Sequence, residues 1–181
     1  MKIRNFLPAI LLIFSSLYTQ SQTPARVDYD AFEKLTKEVK EHRKTRLVSA
    51  AEFLRLSKEE KVIILDARSD AMYAAKHIKG AVHLNFSDFT QTNLAKVIPD
   101  MSTKILIYCN NNIDNDEVYF PTKSAAPAKS VKTTSKPLTL ALNIPTYINL
   151  YGYGYKNVYE LAELVSGSGK TIEFEGTAVK Q

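Results

Sequence analysis

Two unbroken apolar runs, Val62-Ile63-Ile64-Leu65 and Ile105-Leu106-Ile107-Tyr108, restrict the folds open to this chain more than any other feature. A strand wetted on one face alternates apolar with polar residues, whereas an unbroken run suits a strand covered on both faces. The segments around these runs carry helical spacing instead. Ser49 caps a helix through Phe53 to Leu56, Ser69 caps another through Met72 and Ala75, and residues 89–97 form a third, ended by Pro99. Leu47-Val48, Ala81-Val82-His83-Leu84-Asn85 and Asn157-Val158-Tyr159-Glu160-Leu161 read as further strands. Strands alternating with helices of this length give an α/β fold with a mainly parallel sheet.

The ends of the chain carry different information. Residues 1–21 have the layout of a secretory signal peptide: Lys2 and Arg4, a short apolar stretch over 6–14, then Thr19-Gln20-Ser21 as a cleavage site. The apolar stretch is short for a bilayer span, so no membrane span is expected after cleavage. The expected location is therefore periplasmic or secreted. Loss of the two leader cations takes the net charge from +5 to +3, too mild an excess to suggest nucleic acid as a partner. Residues 22–45 form a linker and an amphipathic helix in which Phe32, Leu35 and Val39 recur among Lys and Glu, with Asp28 or Asp30 as its cap. The narrow stripe places this helix on the outside of the main domain, 46–166. Residues 167–181 read as a C-terminal tail.

Cys109 is the single cysteine, at the end of the second apolar run and directly before Asn110-Asn111-Asn112. In open α/β sheets ligands bind beyond the carboxyl ends of the strands, and this thiol falls at such a position. With no partner in the chain, its sulfur is inert, bonded to another molecule, or chemically active. Asparagine tolerates tight left-handed loops, so the amides of Asn110, Asn111 and Asn112 are candidates to cradle the sulfur. Residues 110–144 follow as a long insertion, acidic first (Asp114, Asp116, Glu117) and then rich in lysine and proline. Within it Leu138, Leu140, Leu142 and Ile144 alternate with smaller or polar residues, the period of an extended segment, with Pro145 opening a helix; the alternative is a helix from Leu138, which would place Pro145 inside it. The histidines are too scattered for a metal site.

The ordered set Ile64-Leu65-Asp66-Ala67-Arg68, Tyr73 and His77-Ile78-Lys79-Gly80-Ala81-Val82-His83-Leu84 resembles the signature of the rhodanese family. Gly154-Tyr155-Lys156-Asn157-Val158-Tyr159-Glu160-Leu161 is similar to that family's late motif, and Cys109 lies where the family carries its active cysteine. The resemblance spans roughly residues 46 to 165. It implies a three-layer fold and a cysteine that accepts sulfane sulfur as a persulfide and passes it to a nucleophile. It makes Cys109 the sulfur acceptor, and Asp66, Arg68, His77 and Gly80 structural members of the motif. No cofactor and no metal are expected. The partners implied are a small sulfur donor and a thiol acceptor, or an envelope protein docked by the insertion if the domain is a non-catalytic binding module.

One departure from the family is plain. No arginine follows Cys109 anywhere in the chain, which removes the phosphate-binding Cys-x5-Arg chemistry and weakens thiosulfate, a dianion, as a substrate. A lysine of the insertion, such as Lys123, is a candidate replacement for that charge.

Overall fold

The computed structural model describes residues 26–114 and 142–179. The proposed leader and most of the insertion, including Asp116, Glu117 and Lys123, lie outside the described residues. Seven described strands follow in chain order: β1 (Leu47–Val48), β2 (Val62–Asp66), β3 (His77–Ile78), β4 (Val82–His83), β5 (Lys104–Tyr108), β6 (Val158–Leu161) and β7 (Phe174–Glu175). Five of them form one sheet ordered β1-β6-β5-β2-β4, with every pairing parallel. The helices are α1 (Tyr29–Lys44), α2 (Ala50–Leu56), α3 (Asp70–Ala75), α4 (Gln91–Val97) and α5 (Asn143–Gly152).

The unbroken apolar run of β5 serves two cores at once. Side chains alternate across a strand. Leu106 and Tyr108 join Phe53, Leu56, Leu161 and Ile172 on one face. Ile105 and Ile107 join Val39, Leu94, Ile98, Tyr147 and Leu150 on the other. Helix α2 therefore covers one face, and α1, α4 and α5 cover the opposite one, giving the three layers.

Local starts follow the capping residues. Asp28 accepts from Ala31 N at 2.8 Å, Ser49 from Glu52 N at 3.2 Å, and Ser69 from Met72 N at 3.4 Å. Each satisfies a backbone donor that the first turn leaves open. No helix among the described residues is long and apolar enough to cross a membrane.

Three expectations shift in the structure. The extended segment does not reach Ile144: Leu142 has helical angles and caps α5, which begins two residues before Pro145. Proline is accommodated there because the N–H groups of a first turn have no helical partner to lose. Residues 138–141 lie outside the described set. Next, β4 is shorter than the 81–85 run, because Asn85 turns out of the sheet to cap a 3-10 turn at Phe86–Asp88. Finally, the segment read as a tail packs into the domain. Ile172 and Phe174 are buried, and β7 pairs antiparallel with β3.

Candidate functional site

Cys109 stands at the carboxyl end of the central strand and is completely buried. The chain then closes a single 3-10 turn over Asn110–Asn112. Asn112 holds this turn from both sides. Its Oδ1 accepts from Cys109 N at 3.0 Å, and its backbone N–H donates to the Cys109 carbonyl at 2.9 Å. Its Nδ2 donates to Leu161 O at 2.8 Å and Glu163 O at 3.2 Å, tying the turn to the end of β6. Val165 N donates to Asn112 O at 2.7 Å, and Asp114 N donates to Val165 O at 2.9 Å. The first residues of the insertion are thus pinned to the sheet.

The thiol environment is a contest between burial and directed dipoles. Burial, the strongest influence, pushes the Cys109 pKa above its ordinary value. The backbone N–H of Leu142, that of Asn110, the Arg68 guanidinium and the N–H of Asn111 all pull the other way. Leu142 sits at the N-terminus of α5, whose positive end therefore faces the sulfur although the two lie far apart in the sequence. Alkylation of Cys109 is expected to go on accelerating with pH beyond the point where a free cysteine levels off. A profile that levels at the free value would contradict this. The same shift lowers stability at high pH: the unfolded thiol ionises first, so the native state loses ground above the free thiol's pKa.

Beside the sulfur lies a buried polar cluster. Arg68 and Asp66 are almost fully enclosed. The Arg68 Nε donates to both Asp66 oxygens at 3.0 and 3.1 Å, and its Nη2 to Oδ2 at 2.6 Å. Nη1 donates to Asn110 Oδ1 at 2.6 Å, and Nη2 also reaches Lys76 O at 2.6 Å. Burial opposes the Arg68 charge, but the hydrogen bond and charge of Asp66 outweigh it and hold the guanidinium pKa up. The Tyr108 hydroxyl donates to Asp66 Oδ2 and accepts from Ile78 N at 3.0 Å.

His77 is fixed on both ring nitrogens, with Nδ1 2.7 Å from Tyr73 O and Nε2 3.2 Å from Glu175 Oε1. The Tyr73 ring stacks between His77, at 3.8 Å, and His83, at 4.5 Å. Gly80 takes φ +79, which a glycine adopts without strain, and donates its N–H to Glu175 Oε1 at 2.9 Å. Arg68 and the asparagine turn thus converge on Cys109, with Asp66 behind Arg68, while His77 and Gly80 bond to Glu175 of strand β7 instead. Among the described residues no group of three His, Cys, Asp or Glu could hold a metal ion.

A cleft of about 860 Å³ opens on the far side of this cluster, between α3 and the C-terminal segment. Lys76, Lys79, Phe174 and Val179 line its walls. Cys109 is not part of its lining, but Arg68 and Met72 are, and both contact Asn110.

Sequence reasoning missed several participants. Leu142 acts through its backbone, which no side-chain pattern reveals. The hydroxyl of Tyr108 is hidden at the end of an apolar run. Glu160 left a readable trace, since a carboxylate inside a buried strand demands a partner. That partner is Arg43 of α1, whose Nη2 donates to Glu160 Oε1 at 2.6 Å and whose Nε donates to Oε2.

The family model described as Rhodanese-like domain matches residues 49–163. No curated protein sequence matches the chain. Among solved structures, the BH2092 protein from Bacillus halodurans is similar at 17% identity over 83% of this chain and 87% of its own, with TM-score 0.48. The Alr3790 protein from Anabaena sp. is similar at 21% identity over 72% and 82%, with TM-score 0.44. An NMR structure of the rhodanese-like domain from that same protein gives 20% identity over 74% and 80%, with TM-score 0.44. With these scores below one half, family membership rests on the sequence match.

Proposed function

The chain belongs to the rhodanese-like domain family, and we propose that within it Cys109 carries and transfers sulfane sulfur. The observation behind this reading is the set of backbone N–H groups from Leu142, Asn110 and Asn111 converging on the sulfur at the end of β5. Fixed amides of this kind stabilise a thiolate or a persulfide anion without reorganising. The Cys109 thiolate attacks the outer sulfur of a persulfide donor R–S–SH. A new S–S bond forms to Cys109, the donor's S–S bond breaks, and R–S⁻ departs. An acceptor thiolate then attacks the outer sulfur of Cys109–S–SH, takes it, and restores the Cys109 thiolate. Neither step consumes an oxidant or a reductant. Arg68, the one arginine acting on the sulfur among the described residues, is committed to Asp66, which favours a monoanionic persulfide over dianionic thiosulfate as donor. The protein works after export, a reading supported by the basic and apolar start of the chain.

Full burial of the sulfur favours a second reading, a binding module that engages an envelope partner without sulfur chemistry. Mass spectrometry separates the two. Exposure to persulfide, polysulfide and thiosulfate donors is expected to add one sulfur to Cys109 and nothing to Cys109→Ser. No adduct with any donor, together with unchanged partner capture by Cys109→Ser, would establish the binding module.

A further inference from the structure

The cysteine turn is wired to helix α1 through a buried polar chain that lies partly outside the family match. Arg43, in the last turn of α1, grips Glu160 through two nitrogens. Glu160 is 2% exposed and stands on β6. Its Oε1 also accepts from Asn143 Nδ2 at 2.9 Å. That same Nδ2 lies 3.5 Å from Asn112 Oδ1, the atom that accepts the Cys109 N–H. Asn143 is the first residue of α5 and follows Leu142, whose N–H is directed at the sulfur.

These contacts have a direction. The Asn143 side chain is nearly enclosed, and its Oδ1 has no partner among the described residues, where Glu160 and Asn112 fix its orientation. A buried carboxylate is stable in that place only while its cation stays, and Arg43 provides it. His42 strengthens the same junction, with Nδ1 2.9 Å from the Tyr147 hydroxyl, which donates to Val158 O at 3.0 Å. Helix α1 therefore bears on the start of α5 at two positions one turn apart, directly at Tyr147 and through Glu160 at Asn143.

We propose that Glu160, held by Arg43, is a positioning residue that keeps the N-terminus of α5 aimed at the Cys109 sulfur. Its bearing on sulfur transfer rests on the persulfide reading above, but its effect on the thiol itself does not. The groups facing that thiol are the N–H donors of Asn110 and Asn111 from the turn, Leu142 from α5, and Arg68 from the β2–α3 loop. Glu160 and Arg43 act behind Asn143 and Asn112 rather than on the sulfur directly. Glutamine in place of Glu160 keeps an oxygen for Asn143, whereas alanine leaves none.

The test uses the full chain and no sulfur donor. The rate of iodoacetamide alkylation of Cys109 is measured against pH for the unaltered protein, Glu160→Ala and Glu160→Gln, each checked for folding by circular dichroism. Glu160→Ala is expected to move the profile to higher pH, slowing alkylation near neutral pH by about threefold or more, since half a pKa unit is that change in thiolate fraction. Glu160→Gln is expected to recover most of that loss. If Glu160→Ala does not fold, Asn143→Ala cuts the chain one link later while leaving the Arg43 pair intact, and should give the same shift. A profile unchanged in the folded alanine variants, or equal loss in Glu160→Ala and Glu160→Gln, overturns the proposal. Because no persulfide is involved, failure of sulfur transfer would leave this result standing.

Discussion

Arg68→Ala is expected to cost about 3–5 kcal/mol of folding stability, the penalty for leaving one member of a buried ion pair without its counter-charge. Asp66 is fully enclosed, and the guanidinium supplies three of the side-chain contacts that keep its carboxylate tolerable there. After the change Asp66 retains the Tyr108 hydroxyl and the backbone N–H of residue 68, at 2.9 Å in the native protein. A drop of this size corresponds to a fall in Tm of roughly 10 °C for a chain of this length, which differential scanning calorimetry resolves easily. Arg68→Lys is expected to rescue little, because an ammonium cannot reproduce the planar fork that serves Asp66 and Asn110 together. The pair Asp66→Asn with Arg68→Met should lose less than the sum of its parts, since the stranded charge is gone. An Arg68→Ala protein that melts within 2 °C of the unaltered one would show that the cluster is not a stabilising centre.

The same substitution reaches the functional turn. Arg68 Nη1 donates to Asn110 Oδ1, and the guanidinium charge favours the Cys109 thiolate. Stability and thiol reactivity are therefore coupled through one side chain, which explains why a sequence reading that treats Asp66 and Arg68 as framework describes only half of their geometry. The apolar runs were readable because a strand buried on both faces leaves no alternation, and β5 divides its side chains between two cores as that requires. Ser49 and Ser69 were readable because their hydroxyls satisfy first-turn donors. What stayed hidden was non-local. The N–H of Leu142 meets the sulfur although Leu142 lies far from Cys109 in the sequence, and backbone dipoles carry no residue signature. The insertion lengthens the connection but leaves the helix end at the sulfur.

The C-terminal segment was hidden for a different reason: residues 167–179 carry few apolar side chains and no sustained period. Its docking is set by backbone pairing and by one glycine. Gly176 has φ +131, and a Cβ placed on it would lie 2.5 Å from the Ala75 carbonyl oxygen and 2.9 Å from that of Ala74. Those two carbonyls end α3 and accept from Ala178 N at 2.8 Å and Thr177 N at 2.9 Å. The segment thus caps a helix that has used up its own donors. Gly176→Ala combines a forbidden backbone angle with a clash against rigid main chain, so neither a rotamer change nor a small relaxation relieves it. The expected cost is about 2–4 kcal/mol, released by detaching the segment rather than by unfolding the sheet. Amide exchange at Thr177 and Ala178 should rise sharply in the variant while the amides of β5 and β2 stay protected. Detachment would also strip His77 and Gly80 of Glu175 and open one wall of the cleft beside Arg68. Unchanged protection at Thr177 and Ala178 would mean that the segment is held by Ile172 and Phe174 alone, with the helix cap contributing nothing measurable.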